Sequence, residues 1–382
     1  MSKPTLKPAQ PSFSSGPCAK RPGWEASGLE TSALGRSHRS SLGKARLKHA
    51  IDLTREVLEV PDTHLIGIVP ASDTGAVELA MWNLLGPRPV TVAAWESFGL
   101  DWVKDAVEQL KIDPVVLTAD YGALPDLESV DPSHDVVFTW NGTTSGVRVP
   151  NADWIAADRE GLTICDATSA AFAQDLDWDK LDVVTYSWQK VLGGEGQHGI
   201  LIMGPRAVER VANHTPEWPL PKIFRIKKKG ELDAAIFEGA TINTPSLLAT
   251  EDYIDALTWT KGLGGLQALK ARANGNLTAL EAWAASRDWI DFLAPSAIRS
   301  NTSVCLKITE LRVAALSSEE QQAFIKRMVK ALEKEEAAFD IAGYRAAPPG
   351  LRVWCGATVE TSDIEALTPW LDWAFETALS SL

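Results

Sequence analysis

Only four cysteines occur in this chain of 382 residues, Cys18, Cys165, Cys305 and Cys355, and no two form a CxxC pair. That scatter argues against a disulfide framework and against a zinc site, and it points to a reducing, cytoplasmic setting. No apolar run approaches the roughly 18 residues needed to cross a bilayer. The opening MSKPTLKPAQ carries prolines and lysines but no apolar core, so it is not a secretory signal, and residues 1–12 read as a disordered leader. Positive charge is also short: the net charge is −13, which disfavours nucleic acid and anionic membranes as bulk partners but leaves room for a local cationic pocket. No GxGxxG opens the first β-α unit, which counts against a dinucleotide-dependent oxidoreductase. The chain also has no internal repeats and no long low-complexity tract.

What is present is the composition of an ordinary globular protein, 45% hydrophobic and 23% charged, in a chain too long for one small core. The 15 tryptophans read as packing residues. Residues 43–59 have helical spacing, with Leu47, Ile51, Leu53, Val57 and Leu58 as the apolar set. Ser72-Asp73-Thr74-Gly75 offers capping side chains before an apolar helical run. Short β-rich runs follow at 90–93, 115–117, 136–140, 162–165, 183–187 and 199–203, with helical stretches such as 99–110 and 153–160 between them. That alternation predicts an α/β domain over 13–260 built on a mostly parallel sheet. Beyond Lys261-Gly262-Leu263-Gly264-Gly265 the text changes: a long helical pattern at 262–285, strands at 303–308 and 351–355, and helices at 318–338 and from 363. A smaller α+β domain over 261–382 is expected. Lys227-Lys228-Lys229-Gly230 reads as an exposed hairpin tip.

Ligands of parallel sheets bind beyond the carboxyl ends of the strands. There the sequence puts Asp166 after LTIC, Lys190 after VVTYSWQ, Thr143 and Thr144 after VVFTWNG, and Ser72-Asp73-Thr74 after LIGIVPA, where a helix begins. Backbone N–H groups at that helix start make an anion cradle. A phosphate site, a carboxylate and a lysine in one crevice are what pyridoxal phosphate requires: a cradle, a partner for its pyridine nitrogen, and an amine for its aldehyde. Phe98 is placed to lie on the ring face. Each residue also has a structural reading, with Asp166, Thr143 and Thr144 as turn caps, Ser72-Asp73-Thr74 as an ordinary N-cap, and Phe98 as core. Convergence at several strand ends favours the cofactor.

With those residues in place, the chain resembles the phosphoserine aminotransferases, class V pyridoxal-phosphate enzymes of fold type I. The similarity rests on Phe13-Ser14-Ser15-Gly16-Pro17, Ser37-His38-Arg39-Ser40, Gln189-Lys190 and Asn243-Thr244-Pro245, with Tyr344-Arg345 and Arg352 in the substrate region. It implies a seven-stranded, mostly parallel sheet with a smaller C-terminal α+β domain. It implies that Lys190 holds the cofactor and shuttles protons, that Asp166 pairs with the pyridine nitrogen, and that Gln189, Thr143 and the backbone of Asp73 and Thr74 bind the cofactor. It further implies a homodimer in which Asn243 and Thr244 reach the phosphate of the neighbouring subunit's cofactor. Arg352 would clamp the α-carboxylate, while His38, Arg39 and Arg345, with Ser15 nearby, would recognise the distal anion. Asp73-Thr74, Phe98 and Tyr344-Arg345 stand where many members have a Gly-Arg or Ala-Arg pair, a tryptophan and a His-Arg pair, so the chain looks like a divergent branch.

The implied reaction exchanges an amino group between L-glutamate and 3-phosphohydroxypyruvate, giving 2-oxoglutarate and O-phospho-L-serine for serine biosynthesis. A role on 4-phosphohydroxythreonine in pyridoxine biosynthesis is a further expectation, and no metal is expected. The competing readings are an alanine– or serine–glyoxylate aminotransferase of the same class, and a non-catalytic protein that kept the fold. A cysteine desulfurase is disfavoured because Cys305 and Cys355 lie in strand-like runs rather than on a loop.

Overall fold

The computed structural model describes residues 2–382. Helix α1 (Ser41–Val57) starts where the Ser40 hydroxyl accepts from the Gly43 N–H at 3.1 Å, satisfying one of the unpaired donors of a first turn. Its buried face carries Leu47, Ala50, Ile51 and Leu53. The large sheet contains β1 (Leu65–Pro70), β2 (Val90–Ala94), β3 (Val115–Thr118), β4 (Asp135–Thr139), β5 (Thr163–Asp166), β6 (Val183–Ser187) and β7 (His198–Met203). Their order is β1-β7-β6-β5-β4-β2-β3. All neighbours are parallel except β7, which is antiparallel to both β6 and β1. Six strands therefore deliver their carboxyl ends to one edge.

The inner strands are buried along their whole length, as expected when both faces are covered. Alternate side chains separate into two cores. Val92, Val137, Ile164 and Leu201 pack with Val77 and Met81 of α2 (Ser72–Leu84). Phe138, Cys165, Val184 and Ile202 face the other way, into a core that continues to the C-terminal part of the chain. Helix α3 (Ser97–Lys104) follows β2, α4 (Pro205–Asn213) follows β7, and α5 (Leu247–Leu263) packs against α1.

At Gly264 and Gly265 the backbone takes φ of 110° and 79°, and the chain turns into α6 (Leu266–Ala284). The helical pattern at 262–285 is thus the end of one helix and the whole of another, divided where glycine tolerates positive φ. Beyond it, β8 (Ile290–Phe292), β9 (Ser303–Ile308) and β10 (Leu351–Trp354) form an antiparallel sheet. It is accompanied by α7 (Ser318–Lys334) and α8 (Thr361–Leu379). The lysine run forms a small hairpin, Lys227–Lys228 against Glu231–Leu232.

Two expectations differ from the structure. Residues 153–160 form turns rather than a helix; Trp154-Ile155-Ala156-Ala157 runs straight into the polar Asp158-Arg159-Glu160-Gly161, a segment too short to offset the cost of a helix nucleus. Residues 2–12, read as a disordered leader, lie against the C-terminal part of the chain. The Leu6 carbonyl accepts from Trp370 Nε1 at 2.7 Å, the Pro11 carbonyl from the Phe339 N–H at 2.8 Å, and the Ala9 N–H donates to Asp363 at 2.6 Å. Lys3 and Lys7 stand over the Trp370 ring. Pro4, Pro8 and Pro11 remove three amide donors from this segment, and its Leu6 and Pro11 carbonyls find partners on the surface it crosses.

Candidate active site

The antiparallel return of β7 creates the site. Because β6 and β7 are neighbours, the chain leaving Ser187 must turn back between Trp188 and Gln197, and Lys190 lies on that turn. Beside it, Thr139, Asp166 and Thr185 are direct cross-strand neighbours on β4, β5 and β6, so their side chains leave the same face of the sheet. From β1 the chain passes through Ala71, φ 67°, into α2. The helix therefore begins at the same edge, with its dipole behind the crevice.

Asp166 is 5% exposed and held on both oxygens. Oδ2 accepts from Trp102 Nε1 at 3.3 Å and Oδ1 from the Thr168 N–H at 3.0 Å. Asp73 is 6% exposed, lines the same pocket, and has no hydrogen-bond partner on Oδ1. Burial, with Asp166 beside it, pushes the Asp73 carboxyl well above the usual carboxylate range. The Ser72-Asp73-Thr74 side chains were expected as caps, but no side chain caps α2; Asp73 turns inward instead.

Lys190 donates from Nζ to the Ser15 carbonyl at 2.5 Å. Burial lowers its pKa, and the Arg352 guanidinium lowers it further, against the opposing pull of Asp166. A larger share of the amine is then neutral and nucleophilic. Gly16, φ 149°, makes room for it: a Cβ there would lie 2.2 Å from Lys190 Nζ. Arg352 Nε is buried without a partner. Its guanidinium stands 5.8 Å from the Tyr344 ring, which lies 5.9 Å from Phe98 at the pocket mouth. Cys18, also near Lys190 and Arg352, has its thiol pushed up to about 12 by burial and is inert as a nucleophile at neutral pH.

Six buried polar atoms around this pocket bond to nothing: Asp73 Oδ1, Thr139 Oγ1, Thr168 Oγ1, Thr185 Oγ1, Ser187 Oγ and Gln189 Oε1. Native interiors rarely leave such groups unpaired, and so many in one crevice fit a polar ligand. A phosphate at the α2 start, a cationic ring nitrogen toward Asp166 and a carbonyl carbon toward Lys190 match the donors and acceptors present. The residues fit pyridoxal phosphate.

The pocket gathers Asp73, Thr74, Phe98, Thr143, Asp166, Gln189 and Lys190, all singled out in the sequence. The Thr143 hydroxyl bonds to Ser169. Ser15 lies at its Lys190 side, buried, with its hydroxyl 3.4 Å from that of Ser303. Other expected residues lie elsewhere. Arg39, Arg345, Asn243 and Thr244 are exposed and His38 half-buried, and none lines this pocket. The sequence reading missed Trp102, Thr139, Asn141, Thr168 and Ser187. Thr139 and Ser187 end β4 and β6, so the strand-end rule reaches them; Trp102 arrives from α3, and nothing local signals it.

No family model matches the chain. Curated proteins and solved structures do. Phosphoserine aminotransferases of Methanosarcina barkeri and Methanosarcina mazei are each 56% identical to it, over 375 and 376 residues, covering 98% of this chain and 99% of theirs. A phosphoserine aminotransferase structure from Cytophaga hutchinsonii superposes with a TM-score of 0.78 at 20% identity, over 95% of this chain and 98% of that one. An alanine–glyoxylate aminotransferase from Nostoc reaches 0.77 at 16% identity, over 98% of this chain and 97% of that one. Fold alone does not separate these activities; the full-length identity to the Methanosarcina proteins does, and this chain belongs to the phosphoserine aminotransferase family.

Proposed function

We propose that this protein is a phosphoserine aminotransferase that uses pyridoxal phosphate to move an amino group between L-glutamate and 3-phosphohydroxypyruvate, a transfer that serves serine biosynthesis. The observation that carries the reading is the pairing, in one pocket ringed by unpartnered polar atoms, of an amine with depressed pKa on Lys190 and a fixed carboxylate on Asp166. Lys190 would hold the cofactor covalently, Asp166 its ring nitrogen, and the backbone of Asp73 and Thr74 its phosphate, with Thr143 and Gln189 at its edges and Phe98 against its face. When bound, the cofactor supplies an electron sink for the charge that develops at the substrate Cα.

The chain's own residues do the rest. The Lys190 amine removes the proton from the substrate Cα and later returns one, and its lowered pKa keeps more of it in the neutral form that can accept a proton. Arg352 binds the α-carboxylate through two parallel N–H bonds, a task for which it has a free guanidinium edge. His38, Arg39 and Arg345 recognise the distal phosphate or γ-carboxylate. The exposure of Arg39 and Arg345 in the single chain, with that of Asn243, Thr244 and Leu248, supports a homodimer in which a second copy completes each site. The same anion pocket would accept 4-phosphohydroxythreonine.

The test is a half-reaction. Purified protein carrying the cofactor is mixed with O-phospho-L-serine and no keto acid. The visible absorbance of the lysine-bound cofactor bleaches, and 2-oxoglutarate restores it. A faster response to L-alanine than to phosphoserine would move the assignment to the glyoxylate-type enzymes.

A further inference from the structure

Two carboxyl groups meet in a pocket that has use for the charge of one. Asp166, at the end of β5, has both oxygens occupied by N–H donors, an arrangement that stabilises a carboxylate. Asp73, in the first turn of α2, has none on Oδ1. The surroundings of Asp73 are the Asp166 carboxyl in the same pocket, the Thr168 and Thr185 hydroxyls, the Cys165 thiol behind Asp166, the buried Glu96 carboxyl on the Asp166 side, and the Lys190 amine across the pocket. Among the described residues no arginine pairs with either carboxyl. Two like charges in such a site cannot both persist cheaply, because burial raises the cost of each and their repulsion adds to it.

We propose that Asp73 and Asp166 share a single proton, held on Asp73, so that the pocket presents one negative charge, on Asp166, with Asp73 acting as its positioning partner. A protonated Asp73 donates to Asp166 and needs no N–H donor of its own, which accounts for its bare oxygen. It also explains how a carboxyl can stand at the start of α2, where an anion is to be cradled: a neutral acid does not repel a phosphate. That last consequence rests on the cofactor reading; the proton sharing does not.

The sign of the pH effect follows. A group that keeps its proton in the folded state and loses it in the unfolded state makes folding less favourable as pH rises between the two titrations. Cofactor-free protein is unfolded in urea at several pH values from 5 to 8, as wild type, Asp73→Asn, Asp73→Ser and Asp166→Asn. Relative to Asp73→Asn, the wild-type folding constant falls by up to about tenfold per pH unit, the limit for one proton. Asp73→Ser behaves like Asp73→Asn, and Asp166→Asn shows a smaller slope because the like charge is gone. A merely structural Asp73 shifts every curve by a constant offset, and parallel curves overturn the proposal, as does an Asp166→Asn slope equal to wild type. If the variants do not fold, infrared spectroscopy of the wild type and of Glu96→Gln decides. A protonated carboxylic acid carbonyl stretch at neutral pH that persists in Glu96→Gln supports the pair, because Glu96 is the other buried carboxyl beside Asp166, and its absence refutes it. Since no cofactor or substrate enters the experiment, its failure leaves the transaminase assignment standing.

Discussion

The two edges of the large sheet treat buried carboxylates in opposite ways. At the amino edge, Asp135 and Asp182 are 0% and 4% exposed, and every oxygen is matched. Arg210 grips Asp135 at 2.7 and 3.0 Å, with the Leu162 N–H on the same group at 2.8 Å. Asp182 takes Arg206 at 2.9 and 3.1 Å, Arg159 at 3.1 Å and the Thr163 N–H at 2.9 Å. At the carboxyl edge, Asp73 and Asp166 have no such cations, and hydroxyls around them are left bare. One edge is finished as a structure. The other is finished only when a ligand arrives, and it holds unfavourable terms that a binding partner can relieve.

Breaking the carboxyl edge should cost activity and spare folding. Lys190→Ala is expected to lower turnover by at least about 10⁴-fold and to abolish visible absorbance from bound cofactor, while urea unfolding of the cofactor-free protein stays within experimental spread; normal turnover in this variant would end the assignment. The amino edge should do the reverse. Asp182→Ala, which strands the buried Arg159, is expected to destabilise the fold by about 3–5 kcal/mol. Turnover per folded molecule should hold, and a large loss there would mean that the two edges are mechanically coupled.

Also at the carboxyl edge, paired with Pro70 at the end of β1, lies His198, 2% exposed, whose pKa burial lowers to about 4. Its Nε2 accepts from the Ser246 N–H at 3.2 Å, at the start of α5. The unfolded imidazole takes up a proton that the folded one refuses, so stability is present above pH 6.5 and drains away as pH falls toward 4. The loss is about 3 kcal/mol over that window, and His198→Gln should flatten it in acid-titration unfolding curves. The smallest expected effect is on substrate affinity. Arg352→Lys keeps the charge but not the planar fork, and should raise KM by roughly 10- to 100-fold for both glutamate and phosphoserine. A rise for phosphoserine alone would reassign Arg352 to the distal anion.

How much of this could be read in advance differs by region for physical reasons. The strands of the large sheet, and Asp166 and Lys190 at their ends, were legible because apolar runs and the residues that terminate them are local in sequence. The inward turn of Asp73 was not: a first-turn aspartate announces a cap, and only the neighbouring strand shows that its oxygen faces another carboxyl. The Ser15 carbonyl under Lys190 carries no side-chain signal at all. Asn243, Thr244, Arg39 and Arg345 were singled out by motif, and all four are exposed in the single chain.

Gly16 and Lys190 also constrain one another sterically. The volume a methyl group would fill at position 16 is already taken by the lysine's terminal nitrogen. An alanine at 16 therefore collides with the reactive amine itself, and part of its harm should vanish in a background where position 190 has been truncated. Mutational tolerance at this glycine is thus limited twice, by a backbone φ of 149° that side chains rarely adopt and by the amine that occupies the space beside it.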